Sequence, residues 1–465
     1  RTAMSTWAED EVQTADLEDR RLNKRFALLL EQLGEHPQLS IPAACGGWKE
    51  TMGAYRFFDN DKATFKKILA PHRDATVERM KSSPVVLLAQ DTTEYDENIC
   101  LGPKGLGTLK EMAKHARRLH PTIAFTPSRI CLGVVKAAYW VRDTESPRHA
   151  RRHKGVDEKE SRHWLESYQD SCALQAQMPD SLLVNLADRE GDIYEWFAEY
   201  QDYAPTVRAE WIIRATQNRH LLAASEEAAQ CLWDALQQAP VLGHTEVNVK
   251  PRPNRAARLA HITLRAATVT LKPPARLGYR LPALSINAVL AREETPPAGK
   301  EPLEWLLLTS LPVVNFEQAA TVVEWYAVRW CIEVYFHVLK SGCQIKRLHL
   351  ETDERLLPCL ALYMVIAWRV LFSLMLARAT PDMDCEIVFD PQEWRAAYIV
   401  VKRCPPPLTP PRLGEVIRLI ASLGGYFARK HDGPPGAKAM WIGLQRLRDF
   451  VIALDAQQDV AMRCV

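Results

Sequence analysis

No two cysteines in this 465-residue chain form a C-x-x-C pair, and the 11 present are odd in number and scattered from Cys45 to Cys464. That pattern argues against a zinc ribbon or a disulfide framework, so they read as reduced core residues. No apolar run approaches the roughly 18 residues that a membrane span needs, and Arg1 to Asp16 is polar and acidic rather than signal-like. A cytoplasmic protein with no membrane partner is expected. Arg1-Thr2-Ala3 ahead of Met4 reads as an added remnant before a natural start. A strong charge balance and internal repeats are missing too: the formal net charge is only +2. With 47% hydrophobic and 25% charged residues, disordered and fibrous classes are excluded. The length suggests roughly three domains.

Acidic residues are locally absent, and this matters more for binding a polyanion than the net charge does. Between Val247 and Arg292 there is no Asp or Glu, against Lys250, Arg252, Arg255, Arg258, Arg265, Lys272, Arg276, Arg280 and Arg292. From Asn98 to Arg142, Glu111 is the one acid among Lys104, Lys110, Lys114, Arg117, Arg118, Arg129, Lys136 and Arg142. Both stretches invite phosphate contacts, or form solvated basic faces.

Leu17, Leu22, Phe26, Leu29, Leu30 and Leu33 recur at helical spacing within a small helical module from about Trp7 to Asn60. Pro42 and Gly46-Gly47 break it before a helix over Glu50 to Phe58, which carries Tyr55 and Arg56. Val85 to Ala89 and Ser181 to Ala187 are apolar runs suited to strands buried on both faces. Further strands are expected at Thr122–Phe125, Ile130–Val141 and Trp211–Arg214, with helices at Glu158–Leu174 and from Asp192 to Tyr200. Residues from about Arg219 to Pro312 read as a β-rich insertion, followed by one long helix from Ala319 to Ser341 and another from Leu356 to Leu376. A proline-rich linker, Cys404 to Pro411, precedes C-terminal helices.

Asp91 and Asp188 each follow a buried strand, where side chains of an α/β sheet leave the core and face a crevice. Tyr326, Arg329, Glu333 and Lys340 are spaced to share one helical face. Three carboxylates with oxygen-only character suit Mg²⁺ or Mn²⁺, and two such ions about 4 Å apart suit phosphodiester chemistry. Arg329, Lys340 and Tyr326 would hold neighbouring phosphates. The plain alternatives are helix-cap or turn roles for the aspartates and a surface ion pair for Arg329 and Glu333.

The pattern Tyr326-x2-Arg329-x3-Glu333-x6-Lys340 resembles the YREK signature of the bacterial DDE transposases of the insertion-sequence-four family. The resemblance continues in Asp91-Thr92-Thr93, Asp157-Glu158-Lys159-Glu160-Ser161 and Asp188-Arg189-Glu190. It extends to Trp305-Leu306-Leu307-Leu308-Thr309-Ser310, Gly53-Ala54-Tyr55-Arg56-Phe57 and Gly424-Gly425-Tyr426-Phe427. It implies an α/β fold: a ribonuclease-H-like mixed sheet with a β-rich insertion, flanked by an all-α N-terminal DNA-binding domain and an α-helical C-terminal dimerisation domain. Expected limits are 1–64, 65–376 with the insertion at about 219–315, and 377–465. By the same resemblance Asp91, Asp188 and Glu333 form a DDE triad holding two Mg²⁺ or Mn²⁺ ions. Tyr326, Arg329, Lys340 and Arg214 touch DNA, Trp305 stacks on a flipped base, and Arg20, Arg21, Tyr55 and Arg56 contact transposon-end DNA.

The implied activity is cut-and-paste transposition. A homodimer pairs inverted-repeat ends, nicks them to a 3′ hydroxyl, forms and opens a hairpin, and inserts the freed end into target DNA. The implied setting is a bacterial cytoplasm, at the nucleoid when DNA is bound. Two alternatives stay open: a ribonuclease-H-like nuclease without strand transfer, and a catalytically silent DNA-binding regulator. If the basic segments contact phosphates, the affinity for end DNA measured by fluorescence anisotropy falls steeply as salt rises; a shallow dependence counts against such contacts.

Overall fold

The computed structural model describes residues 6–35, 40–95, 117–141, 161–222, 230–249, 258–275, 281–342, 353–429 and 433–463. Lys104, Lys110, Glu111, Lys114, Arg142, Asp157 to Glu160, Lys250, Arg252, Arg255, Arg276 and Arg280 lie outside them.

The apolar runs set the centre of the molecule. β1 (Val85–Gln90) pairs in parallel with β5 (Leu182–Ala187), and β5 pairs in parallel with β6 (Glu210–Arg214). On the other side of β1 lies the antiparallel β3 (Arg117–Phe125), which also pairs with β4 (Cys131–Val141) and with the short β2 (Thr93–Tyr95). The order β4-β3-β1-β5-β6, antiparallel first and then parallel, is the mixed ribonuclease-H-like sheet. The insertion does not form a layer of its own. Its strands β7 (Val241–Val249), β8 (Arg258–Leu271), β9 (Leu284–Arg292) and β10 (Glu304–Thr309) continue the same sheet, because β10 pairs antiparallel with β6. Ten strands result.

Alternation along the strands sorts side chains onto two faces. Leu87, Ala89, Val184 and Leu186 point into one core, and Val86, Leu88 and Leu183 into the other. The second core is closed by α6 (Arg162–Gln177), α7 (Tyr194–Asp202) and α8 (Leu232–Gln238). The first is shared with the N-terminal helices α1 (Trp7–Glu11), α2 (Arg20–Glu35), α3 (Ile41–Cys45) and α4 (Trp48–Phe58), and with α5 (Phe65–Lys81).

The expected single helix from Ala319 to Ser341 is corrected. The chain forms α9 (Phe316–Val328), a tight turn at Arg329, α10 (Trp330–His337) and a π turn, Val338–Gly342. At Arg329 the amide bonds to Tyr326 O and the carbonyl accepts from Ile332 N, so the winding is locally that of a 3₁₀ turn.

The statement that no apolar run approaches a membrane span is also corrected. In α11 (Asp353–Ala379) the stretch Arg355–Ala379 is long and apolar enough, with a mean hydropathy of 2.1, but 83% of that window is buried. It is a core helix. It packs on α2, α4, α5 and β4, and on the C-terminal helices α13 (Leu413–Leu423) and α14 (Ala437–Arg463); α12 (Pro391–Lys402) packs on α13 and α14.

Among the described residues, four cations of the basic stretches have acidic partners. Arg258 pairs with Glu293, Arg292 with Glu304 (3.5 Å), Arg118 with Glu94 (2.6 Å) and Lys136 with Asp170 (2.7 Å). The sheet brings the partners of three of these pairs in from a strand or strand end beside the basic residue's own, and α6 supplies Asp170.

Glu35 of α2 meets Arg448 of α14 at 3.0 Å. Burial pushes its carboxyl up to about 7, and the nearby Glu31 and Glu393 add to the shift, so Arg448 only partly offsets them. A carboxyl raised in the folded state keeps a proton that the unfolded chain has released, so stability falls as pH climbs toward 7. Glu35→Gln should therefore unfold in urea like the parent at about pH 5 and be more stable by roughly 1–2 kcal/mol at about pH 8.

Candidate active site

The β1–β5 register pairs Ala89 with Leu186. Continuing it by two residues places Asp91 beside Asp188 at the carboxyl end of neighbouring parallel strands. Asp91 also stands where one strand path is interrupted. β1 pairs with Thr122 to Phe125 and β2 with Arg117 to Leu119 of the same β3, and Asp91-Thr92 is the gap between them. The Thr92 amide donates to Asp91 Oδ1 at 2.8 Å.

Asp188 caps the 3₁₀ turn Arg189–Gly191, its Oδ1 accepting from the Glu190 amide at 2.8 Å. That turn leaves the strand so closely that a Cβ on Gly191 would come 2.5 Å from the Ala187 methyl. Asp192 then anchors it. Its Oδ2 accepts from the amides of Thr216 (2.8 Å) and Gln217 (2.9 Å), while Arg219 Nη2 donates to Oδ1 at 2.5 Å. The turn carrying Asp188 is thereby tied to the loop that follows Arg214.

Across the crevice, Arg329 reaches two carboxylates. Its Nη1 donates to Asp91 Oδ2 at 3.2 Å and its Nη2 to Glu333 Oε1 at 2.6 Å. Burial pushes the Asp91 carboxyl up to about 7, and the charges of Asp188 and Glu333 push the same way against Arg329. Burial works against the charge of Arg329 as well, yet Tyr326, Asp91 and Glu333 hold its pKa above the ordinary value. Tyr326 is buried, which raises its phenol, and its ring meets Trp305 edge-to-face at 5.3 Å. Arg214, at the end of β6, donates to Glu304 O at 3.1 Å and also feels Tyr326, Arg329 and Asp188.

The structure thus gathers Asp91, Asp188, Glu333, Arg329, Tyr326, Arg214 and Trp305 around one crevice. Lys340 lies in the π turn Val338–Gly342, about two helical turns beyond Glu333. Arg20, Arg21 and Arg56 are exposed and Tyr55 is half-buried, all on N-terminal helices that carry no residue of this crevice. The anchor of Asp192 and Arg219 is not legible in the sequence, because no local spacing signals it. The sequence reading also assigned no role to Thr92 or His120.

The three carboxylates supply only oxygen donors, so the donor chemistry fits a divalent cation. Among the described residues, however, no group of three His, Cys, Asp or Glu side chains is already gathered closely enough to hold one. Arg329 takes up much of the negative charge instead.

Three family models match the chain: Transposase DNA-binding over residues 4–63, Transposase DDE domain over 137–364, and Transposase Tn5 dimerisation domain over 365–459. The chain belongs to the DDE transposases. Their enzymes are in general divalent-metal dependent, which agrees with the donor chemistry. The DDE match includes Asp188, Arg329 and Glu333, while Asp91 lies before it and joins the crevice through the β1–β5 pairing. A solved piggyBac transposase synaptic complex with hairpin DNA matches over 81% of this chain and 70% of that chain, at 10% identity and a TM-score of 0.33. That likeness is too distant to bear on the site.

For this transposase, Arg329→Gln should lower stability in metal-free urea unfolding by roughly 2 kcal/mol, because it leaves the largely buried Asp91 uncompensated. Glu333, 34% exposed, should matter less: Glu333→Gln costs under about 1 kcal/mol.

Proposed function

We propose that this transposase excises inverted-repeat transposon ends and inserts them into target DNA by phosphoryl transfer in the crevice of Asp91, Asp188 and Glu333. The observation that carries this is the side-by-side placement of Asp91 and Asp188 at adjacent parallel strand ends, with Arg329 joining Asp91 to Glu333. These three carboxylates would hold two Mg²⁺ or Mn²⁺ ions. Such ions activate a nucleophile and stabilise a leaving oxygen in phosphodiester displacement.

The remaining roles belong to this chain's own groups. Arg329, once its carboxylates are engaged elsewhere, donates to phosphate oxygens in the fork geometry of a guanidinium. Tyr326, Lys340 and Arg214 add donors along the same strand of DNA. Trp305 offers an indole on which a base flipped out for hairpin formation stacks. Water first displaces the 3′ oxygen at each end; the freed hydroxyl then attacks the opposite strand. A second water opens the hairpin by displacing that 3′ oxygen again, and the regenerated hydroxyl attacks target DNA. One site serves every step, since only the attacking oxygen changes.

On the N-terminal helices, Arg20, Arg21, Tyr55 and Arg56 read the transposon ends within a domain ending near residue 64. The segment from 377 onward pairs two copies in the synaptic complex, and the catalytic unit spans 65–376. The working place is the bacterial nucleoid.

The test is incubation with DNA bearing the inverted repeats that flank the gene, with Mg²⁺ or with chelator, resolved on a denaturing gel. Nicks, hairpins and strand-transfer products that require metal are expected. Asp188→Ala and Glu333→Ala should each slow cleavage by about a thousandfold, equivalent to roughly 4 kcal/mol, while end binding stays intact. Cuts without hairpins or joined products would leave a simple nuclease, and binding without any cut would leave a regulator.

A further inference from the structure

Beneath Asp91 a line of polar side chains crosses one face of the sheet. Thr92 Oγ1 lies 2.9 Å from His120 Nδ1, and His120 Nε2 lies 3.4 Å from Gln90 Oε1. Gln90 Nε2 donates to Asn185 Oδ1 at 2.8 Å, and the Ser171 hydroxyl shares its one hydrogen between that oxygen and Ser167 O, each at 2.9 Å. Asn185 Nδ2 reaches the carbonyl of Glu210 at 3.4 Å. His120, Gln90 and Asn185 are wholly buried. They occupy β3, β1 and β5 in the alternating positions that face α6, where Ala124, Leu88 and Leu183 supply an apolar core.

The directions follow from donor and acceptor counts. Gln90 turns its amide nitrogen to Asn185 and its carbonyl oxygen, which can only accept, to His120, so His120 Nε2–H is the donor. His120 Nδ1 is then the unprotonated nitrogen, and it accepts from the Thr92 hydroxyl. Burial keeps the ring neutral, its pKa pushed down to about 3, and Trp164 packs edge-on at 4.6 Å. Sheet stability does not call for these residues, since apolar side chains fill such positions at less desolvation cost. What the line does reach is Thr92, whose amide donates to Asp91 Oδ1.

We propose that His120 is a positioning residue for catalysis: through the Thr92 hydroxyl it locks the two-residue gap between β1 and β2, and with it the direction of the Asp91 carboxylate. The inference rests on the catalytic assignment of Asp91 made above.

The test uses the full chain with Thr92→Val, Thr92→Ser, His120→Leu, His120→Asn, the Thr92→Val/His120→Leu double variant and Asp91→Ala. Thr92→Val and His120→Leu should each slow single-turnover end cleavage by about ten- to a hundredfold, as is usual for groups that orient a site carboxylate. The double variant should be no slower than the slower single one, since both remove one contact. Thr92→Ser should recover most of the loss, with end-DNA affinity and unfolding midpoint close to the parent throughout. Histidine ¹⁵N NMR of the metal-free protein gives a second readout. The signal absent from His120→Asn should report an Nε2–H tautomer, and its Nδ1 shift should move in Thr92→Val.

Folded Thr92→Val that cleaves at the parent rate overturns the proposal, as do additive losses in the double variant or losses that track DNA affinity or unfolding. If Asp91→Ala itself cleaves normally, the site assignment falls and the positioning role falls with it. An inactive Asp91→Ala beside a normal Thr92→Val overturns the positioning role alone.

Discussion

Two parallel strand pairings, β1 with β5 and β5 with β6, are the constraint on which the rest of this transposase depends. Parallel neighbours end on the same side of a sheet, so residues that follow them meet at one crevice. Asp91, Asp188 and Arg214 meet for that reason, although the two aspartates are 97 positions apart in sequence. A shift of β1 by a single position would turn Gln90 and Leu88 out of the core facing α6 and move Asp91 away from its neighbour.

Gathering carboxylates at a partly buried edge has an electrostatic cost, visible in the raised Asp91 carboxyl. The fold answers with Arg329, which is 13% exposed and held by Asp91 and Glu333 together. The 3₁₀-like turn that divides α9 from α10 falls at this residue. That side chain compensates both carboxylates at once.

Helix α11 ties this centre to the flanking parts. Its apolar length would suit a bilayer, but here it is surrounded by the N-terminal helices, β4 and the C-terminal helices. Glu11 of α1 strengthens the junction, meeting His72 Nδ1 at 2.5 Å and both terminal nitrogens of Arg79 at 2.8 and 2.9 Å, while His72 Nε2 accepts from the Val134 amide of β4. Breaking one member of such a buried group leaves an unpaired charge, so the N-terminal module is held to the catalytic sheet at a defined orientation.

The apolar runs Val85 to Ala89 and Ser181 to Ala187, the helical spacing of Leu22 to Leu33, and the order of segments were legible in the sequence because each depends on periodicity within a few residues. So was the family, carried by short motifs around Asp91, Asp188 and Glu333. β7 and β9 were not seen, nor was α12. The two strands pair with their sequence neighbours, β7 with β8 and β9 with β8 and β10, but their local pattern mixes polar and apolar residues too irregularly to mark them as strands.

For the acid-free stretch, the partners of Arg258 and Arg292 come from outside it, and only sheet packing brings Glu293 and Glu304 to them. Sequence alone determined which residue types are available for chemistry and on which elements they ride. The tertiary structure alone decided that Arg329 bridges two carboxylates, that Asp192 anchors the Asp188 turn, and that His120 lies under Thr92. Those are contacts between distant segments, and local spacing carries no information about them.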